Sequence, residues 1–282
     1  MNKTFGIRQL LVVLAAVFIS GCSEQSSAPV AVEPPAAATA EAMTDATVAT
    51  EPGISIYAAA VASDARPESD RARDAGRKPA AVLEFMGIAP GMTVLDMFTG
   101  GGYYAEIISQ VVGEEGKVVA QTNQAYLGFV GDTFEERFGS GRLQNVEVLM
   151  AENNELLLDA GTFDAIMLVL SFHDLYHSDP ENGWPQIDGP AFLAELRKGL
   201  KPGGIVAVID HHAEAGAPAE TGSTVHRIDP AIVIADMTAA GFVLDSQSDI
   251  LRNPDDDLSK LVFAPELRGK TDRFIMRFKS PE

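Results

Sequence analysis

The sequence predicts one α/β domain built on a doubly wound, mostly parallel sheet of seven strands. Three observations carry that expectation. A short apolar run from Met92 to Met97 breaks into Gly100-Gly101-Gly102 and then into Tyr104-Ala105-Glu106-Ile107-Ile108, whose apolar spacing is helical, so a strand, a tight turn and a helix follow one another. Thr162 to Leu170 is almost continuously apolar, as a strand covered on both faces must be. Strand-like and helix-like segments alternate from Ala80 to Lys279, the layout that builds a parallel sheet.

In order, Ile54 to Val61 and Arg66 to Lys78 lead into the domain. The second segment interleaves Arg66, Arg71, Arg73, Arg77 and Lys78 with Glu68, Asp70 and Asp74, a pattern that suits a solvated helix laced with ion pairs. Pro79 opens a short helix to Met86, and Pro90-Gly91 turns the chain into the first strand. The helix after the glycines runs to Val112, Gly113 to Gly116 turns, and Lys117 to Gln121 is a second strand. Tyr126 to Phe138 reads as one helix, Val146 to Met150 as the third strand and Thr162 to Leu170 as the fourth. Pro190 starts a helix to Leu200, Lys201-Pro202-Gly203-Gly204 turns it, and Ile205 to Ile209 is the fifth strand. Pro230 to Ala240 is a further helix closed by Gly241, Phe242 to Leu244 begins the sixth strand, and Arg273 to Phe278 alternates as the last, with helices expected between the first six.

The N-terminal segment carries a different message. Lys3 and Arg8 precede an apolar run from Leu10 to Ile19 and then small residues, the order of a secretory signal peptide. Ile19-Ser20-Gly21-Cys22 resembles the lipobox of bacterial lipoproteins, which implies cleavage before Cys22 and lipid attachment to it; Ser23 at the next position resembles lipoproteins sorted to the outer membrane. Cys22 is the only cysteine of the chain, so no disulfide forms within it. Residues 22–52 are rich in Ala, Pro, Thr, Ser, Val and Glu without periodicity and read as a disordered tether, and residues 53–79 as a cap segment ahead of a domain over 80–282. The expected location is the bacterial cell envelope, lipid-anchored and facing the periplasm. With 21 Lys and Arg against 40 Asp and Glu, a net charge of −19, the chain repels phosphate backbones, and nucleic acid is not an expected partner.

The strand, glycine turn and helix around Val94 to Tyr104 resemble the cofactor loop of class I S-adenosylmethionine-dependent methyltransferases. Leu200-Lys201-Pro202-Gly203-Gly204 resembles the turn that commonly precedes their fifth strand. The resemblance covers Ala80 to Lys279 and implies a Rossmann-like sheet, S-adenosylmethionine as cofactor and methyl transfer as activity. It implies that Asp96, Gly100 and Gly102 form the cofactor loop, with Phe98 where the first glycine usually sits. Gln121 or Asn123 would meet the ribose in place of the usual acid, Glu152 or Asn153 the adenine amine, and Arg77 or Lys78 the cofactor carboxylate. The leader, the Gly-Gly-Gly-Tyr-Tyr turn, His173-Asp174-Leu175-Tyr176-His177 and Gly269 to Phe274 together resemble an envelope-directed group of predicted methyltransferases. Without the resemblance, the glycine corner is also a tight βα turn of another doubly wound fold.

All five histidines fall in three places: His173 and His177 after the fourth strand, His211 and His212 after the fifth, and His226 in the next loop. The carboxyl ends of central strands form the ligand crevice of such a sheet, so His173, Asp174 and His211 are the expected catalytic groups. A neutral histidine would take a proton from a hydroxyl or amine nucleophile, with Asp174 or Asp210 orienting the ring. His173 and His177 are also four apart, as zinc ligands on a helix are, but no His-Glu-x-x-His accompanies them and Pro180 interrupts the segment, so no metal is expected. The expectation is methyl transfer to a small molecule or envelope component. The alternatives are a non-catalytic lipoprotein that binds a nucleoside-like ligand on the same fold, and metal-assisted hydrolysis at the histidines.

Overall fold

The computed structural model describes residues 54–281; the leader, Cys22 and the tether lie outside the described residues. The chain enters through three helices, α1 (Ile56–Val61), α2 (Glu68–Arg77) and α3 (Pro79–Met86). Ser55 caps α1 by accepting from the Ala58 N–H, and α2 carries Glu68 and Asp70 in its first turn and Arg77 in its last, matching the helix dipole. From there strands and helices alternate: β1 (Thr93–Met97), α4 (Tyr103–Val112), β2 (Lys117–Thr122), α5 (Gln124–Val130), α6 (Thr133–Phe138), β3 (Val146–Met150), β4 (Phe163–Val169), α7 (Gly189–Gly199), β5 (Leu200–His211), α8 (Thr221–Thr224), α9 (Pro230–Ala239), β6 (Val243–Ser248) and β7 (Arg273–Lys279). No helix among the described residues is long and apolar enough to cross a membrane.

The seven strands form one sheet in the order β3-β2-β1-β4-β5-β7-β6, parallel except for β7, which runs antiparallel to both its neighbours. The chain leaves β1 toward β2 on one side and returns to β4 on the other, so the order reverses between β1 and β4 and opens a crevice at their carboxyl ends. Side chains alternate across β1 as the pleat requires. Leu95 and Met97 join a core with β4 and α7 residues such as Leu168 and Phe192, whereas Val94 packs with Ile107, Met167 and Ile209 on the opposite face. Asp96 shares the Val94 face, toward α4.

The structure corrects four details of the sequence reading. The helix expected over Tyr126 to Phe138 is two, broken at Gly131, whose φ of 59° no continuing helix adopts. Residues 151–162, between β3 and β4, hold no helix. Lys201 to Gly204 are part of β5, as a bulge that shifts the pairing from Phe163–Leu200 to Ala165–Ile205. The charged entry helix is not uniformly solvated, because Arg66 and Asp70 are buried at 1% and 2% exposure.

That burial is explained by a network of charges. Arg137 of α6 donates to Asp70 of α2 at 2.7 Å and to Glu106 of α4, and Arg142 binds both oxygens of Glu106 at 2.6 Å. Arg66 meanwhile holds Asp74 through two bonds of 2.8 Å, and the Tyr103 hydroxyl donates to the same carboxylate. Removing one member of such a group strands the others in a low-dielectric site. Arg137→Ala is therefore expected to cost about 3–5 kcal/mol in urea unfolding, far beyond an exposed arginine such as Arg268; a loss below 1 kcal/mol would mean the network carries no stability.

Candidate active site

A cavity of about 720 Å³ opens at the carboxyl ends of β1, β4 and β5 beside the glycine turn. Of the residues expected at the site, Asp96, Gly100, His173, Asp174 and His211 line it. Arg77, flagged as a cation of the cap, lines it as well, while Lys78 turns away and donates to the Ile250 carbonyl. Phe98, Gly102, Gln121, Asn123, Glu152 and Asn153 are not among its lining residues.

The second group is absent from the wall because it is occupied within the protein. The Phe98 N–H donates to Gln121 Oε1 at 3.0 Å, and Gln121 Nε2 donates to the Ala151 carbonyl at 2.8 Å and to Asn153 Oδ1. Gln121 is fully buried, so its amide joins the ends of β1, β2 and β3. Asn123 caps α5 by accepting from the Tyr126 N–H, and Glu152 accepts from the Gln124 N–H. Phe98 sits at φ 51°, in the left-handed region, and its ring packs 5.1 Å from Tyr126 and 5.6 Å from Phe192. Gly102, at φ 76°, is needed for packing as well as for the turn: a Cβ there would lie 2.5 Å from Arg137 Cδ and from Phe138 Cζ. Short helices α5 and α6 thus cover part of the glycine turn, and Tyr126 stands between Phe98 and Trp184 as an aromatic wall.

Asp96 lies at the cavity with 3% exposure and accepts from the Thr99 hydroxyl at 2.6 Å. Burial lifts its carboxyl to about 6, against the lowering effect of that hydrogen bond. The arginine side is built by the entry helix. The guanidinium groups of Arg73 and Arg77 stand 4.8 and 4.6 Å from the Tyr103 ring centre, and Arg273 of β7 reaches across to the Gly76 carbonyl at 2.7 Å. Burial lowers both Arg77 and Arg273 from the usual arginine range. Sequence reading missed Arg73, Arg273 and Tyr126 as site residues; only their positions after folding bring them to this wall.

Four of the five histidines, His173, His177, His211 and His226, line the cavity. His212 does not: it donates to the Ala213 carbonyl and packs edge-on against Phe274. His173 is held between two carboxylates, with Nδ1 2.8 Å from Asp210 Oδ1 and Nε2 3.3 Å from Asp174 Oδ1. Burial alone would depress it, yet Asp210 and Asp174 outweigh burial and raise it to about 9. The two carboxylates thus favour the charged imidazole of His173, which makes it a poorer proton acceptor than a neutral histidine. His211 is neutral, driven well below the ordinary range by burial and by the charge on His173, and its Nδ1 pairs with the Thr271 hydroxyl at 2.7 Å.

A sequence profile of protein-L-isoaspartate(D-aspartate) O-methyltransferases matches residues 72–173. Over 129 residues the chain is 30% identical to a ubiquinone/menaquinone biosynthesis C-methyltransferase of Teredinibacter turnerae, covering 45% of this chain and 46% of that protein. A crystal structure of an S-adenosylmethionine-dependent methyltransferase from Aquifex aeolicus superposes with a TM-score of 0.50 at 29% identity, over 71% of this chain and 87% of that one. One from Mesorhizobium loti, 13% identical with a TM-score of 0.50 over 73% of this chain and 99% of that one, shares the fold. The chain has the class I methyltransferase fold, and these similarities imply S-adenosylmethionine as cofactor.

Two opposing terms meet at Phe98. Its left-handed backbone costs about 1–2 kcal/mol, and losing a buried phenylalanine costs about 3–5 kcal/mol. Packing wins, so Phe98→Gly is expected to lower the unfolding free energy by roughly 2 kcal/mol in a urea titration; a gain in stability would reverse that order.

Proposed function

We propose that this protein is an S-adenosylmethionine-dependent methyltransferase acting on a small molecule or envelope component from a lipid anchor at Cys22. The observation that carries the reading is the pairing, in one cavity beside a glycine turn, of the buried Asp96 carboxyl with the Arg77 guanidinium. An amino acid offers a cation and an anion together, and Asp96 and Arg77 are the matching pair. The cavity volume lies within the range of sites that enclose a cofactor-sized ligand.

The cavity fits the two halves of the cofactor in different ways. Asp96 accepts hydrogen bonds from its ammonium, and Arg77, with Arg73 near it, faces its carboxylate. On the nucleoside side the amides of Gln121 and Asn123 are engaged within the protein, so the aromatic wall of Tyr126 and Trp184 supplies stacking in place of a ribose acid. S-adenosylmethionine, when bound, supplies an electrophilic methyl group. His211, neutral at neutral pH, accepts the acceptor's proton at Nε2, the nitrogen its Thr271 bond leaves free for this role. Asp210 accepts from the His211 N–H at 2.7 Å and steadies that strand end.

Calorimetric titration of the full chain with S-adenosylmethionine and its demethylated product tests this. Micromolar binding is expected, weakened at least about tenfold in Asp96→Asn, since a charge-assisted bond is worth about 1.5–3 kcal/mol. Because the Asp96 carboxyl sits near 6 and binds the ammonium only when ionised, affinity should be full above pH 7 and fall as pH drops through 6. A folded protein that binds neither compound sinks the reading.

The envelope location rests on the lipobox-like segment ending in Cys22. Cys22→Ser should abolish incorporation of labelled palmitate and move the protein out of the membrane fraction; unchanged labelling would rule out an anchor at this residue.

A further inference from the structure

We propose that His173 Nε2, Asp174 Oδ1 and His226 Nδ1 form a binding site for one divalent first-row transition metal ion, with an open coordination position facing the cavity. The site stands whether or not the methyl-transfer reading holds.

The donor separations are those of a metal site. Nε2 of His173 is 3.2 Å from Nδ1 of His226 and 3.3 Å from Oδ1 of Asp174, and the remaining edge, Asp174 to His226, is 3.9 Å. Donors about 2.0–2.2 Å from a tetrahedral ion lie roughly 3.3–3.6 Å from one another. A small closure of the longest edge completes that triangle. The three residues come from a turn of 3₁₀ helix over Phe172–Tyr176 and from the loop after α8, 53 positions apart in the chain, so their convergence is a product of the tertiary fold.

Each donor is also oriented from behind. Asp210, fully buried, sits 2.8 Å from His173 Nδ1 and accepts from the His173 backbone N–H at 2.8 Å, which fixes the tautomer that offers Nε2 forward. This carboxylate–histidine order is the usual support behind a metal-bound imidazole, and an ion binding at Nε2 displaces the proton that His173 carries there in the free protein. The second oxygen of Asp174 accepts from the Tyr126 hydroxyl, leaving Oδ1 for an ion. His226 is held at φ 55°, a left-handed conformation uncommon outside glycine, which its surroundings enforce here. The enforcing neighbour is Arg227, fully buried, which binds both oxygens of Asp256 at 2.7 and 3.1 Å and donates to the Lys260 and His212 carbonyls.

Chemistry selects the ion. Two imidazoles and one carboxylate suit zinc, iron, cobalt or nickel and disfavour magnesium and calcium, which prefer all-oxygen shells. The two buried carboxylates of Asp174 and Asp210 supply negative charge that a dication compensates. The pair suggested by sequence spacing, His173 with His177, is not the ligand pair: His177 Nδ1 meets the Ser223 hydroxyl at 3.2 Å. The open position looks into the cavity, where an oxygen or sulfur of an acceptor would complete the coordination.

The test is titration of the full chain, purified without a histidine tag and stripped with a chelator, with cobalt(II) chloride. One equivalent is expected to bind with visible absorption of low-symmetry cobalt, displaced by zinc. His226→Gly suits the left-handed backbone and keeps the fold; it should weaken cobalt binding by about 100-fold or more, since loss of even an outer-shell partner costs 10–100-fold. His212→Ala, outside the cavity, should leave the affinity within about twofold. A folded wild-type chain without the visible band, or His226→Gly binding cobalt as tightly as wild type, overturns the proposal. Should His226→Gly lose its circular dichroism signature, His226→Asn, also tolerant of this backbone, replaces it under the same criterion.

Discussion

The buried guanidinium of Arg137 is the contact on which the cavity depends. It joins α2 through Asp70, α4 through Glu106 and the glycine turn through the Gly101 carbonyl, all from α6. A charge so buried is stable only when its partners are all in place, so the four elements are held in one arrangement or not at all. Once α2 is fixed, Arg73 and Arg77 stand over Tyr103 at the mouth of the crevice. Once α6 is fixed, it lies against Gly101 and Gly102, where any side chain would collide with Thr133, Arg137 or Phe138. The glycines serve helix packing and the turn itself, as much as close approach by a ligand.

Two electrostatic regimes share the cavity. Near β1, an acid whose ionisation is made costly by burial shares the wall with arginines, so groups of opposite charge face one space. Near β4 and β5, two carboxylates compete for one imidazole, and a second and a third imidazole are pushed neutral by burial and by the first. Groups of like chemistry, set a few ångströms apart, take opposite protonation states because their neighbours differ. Left-handed backbone at Phe98, Leu170 and His226 clusters around the same space, Phe98 behind its aromatic wall and the other two in the lining. Such conformations persist where packing over-determines them.

Much of the fold was legible in local pattern. The apolar run at β4, the glycine punctuation after β1, the proline at the start of α7 and the alternation along β7 each record a local requirement of backbone or pleat, and the strands fall where those signals stand. The details that differed depend on other signals. Gly131 splits a helix through its conformation, and 151–162 crosses between strands without a helix because composition alone does not force one. At the site, Asp96 and the histidines were legible because topology sends the ends of central strands to one crevice. Gln121, Asn123 and Glu152 instead spend their polar groups on bonds within the protein, since an amide or acid at a strand end has the same signature whether it meets a ligand or ties one segment to the next.

The sequence by itself determined the doubly wound sheet, the acidic surface, the glycine corner and the presence of histidines at the ends of β4 and β5, since all of these follow from residue type and short-range spacing. Tertiary structure decided which of those groups share a wall. Arg77 reaches the cavity and Lys78 does not, His226 meets His173 where His177 was the nearer in sequence, and Tyr126 bonds Asp174 across 48 positions. The physical reason is that donor separations of 3 Å are set by the packing of whole elements, and local spacing along the chain contains no information about which loops that packing brings together.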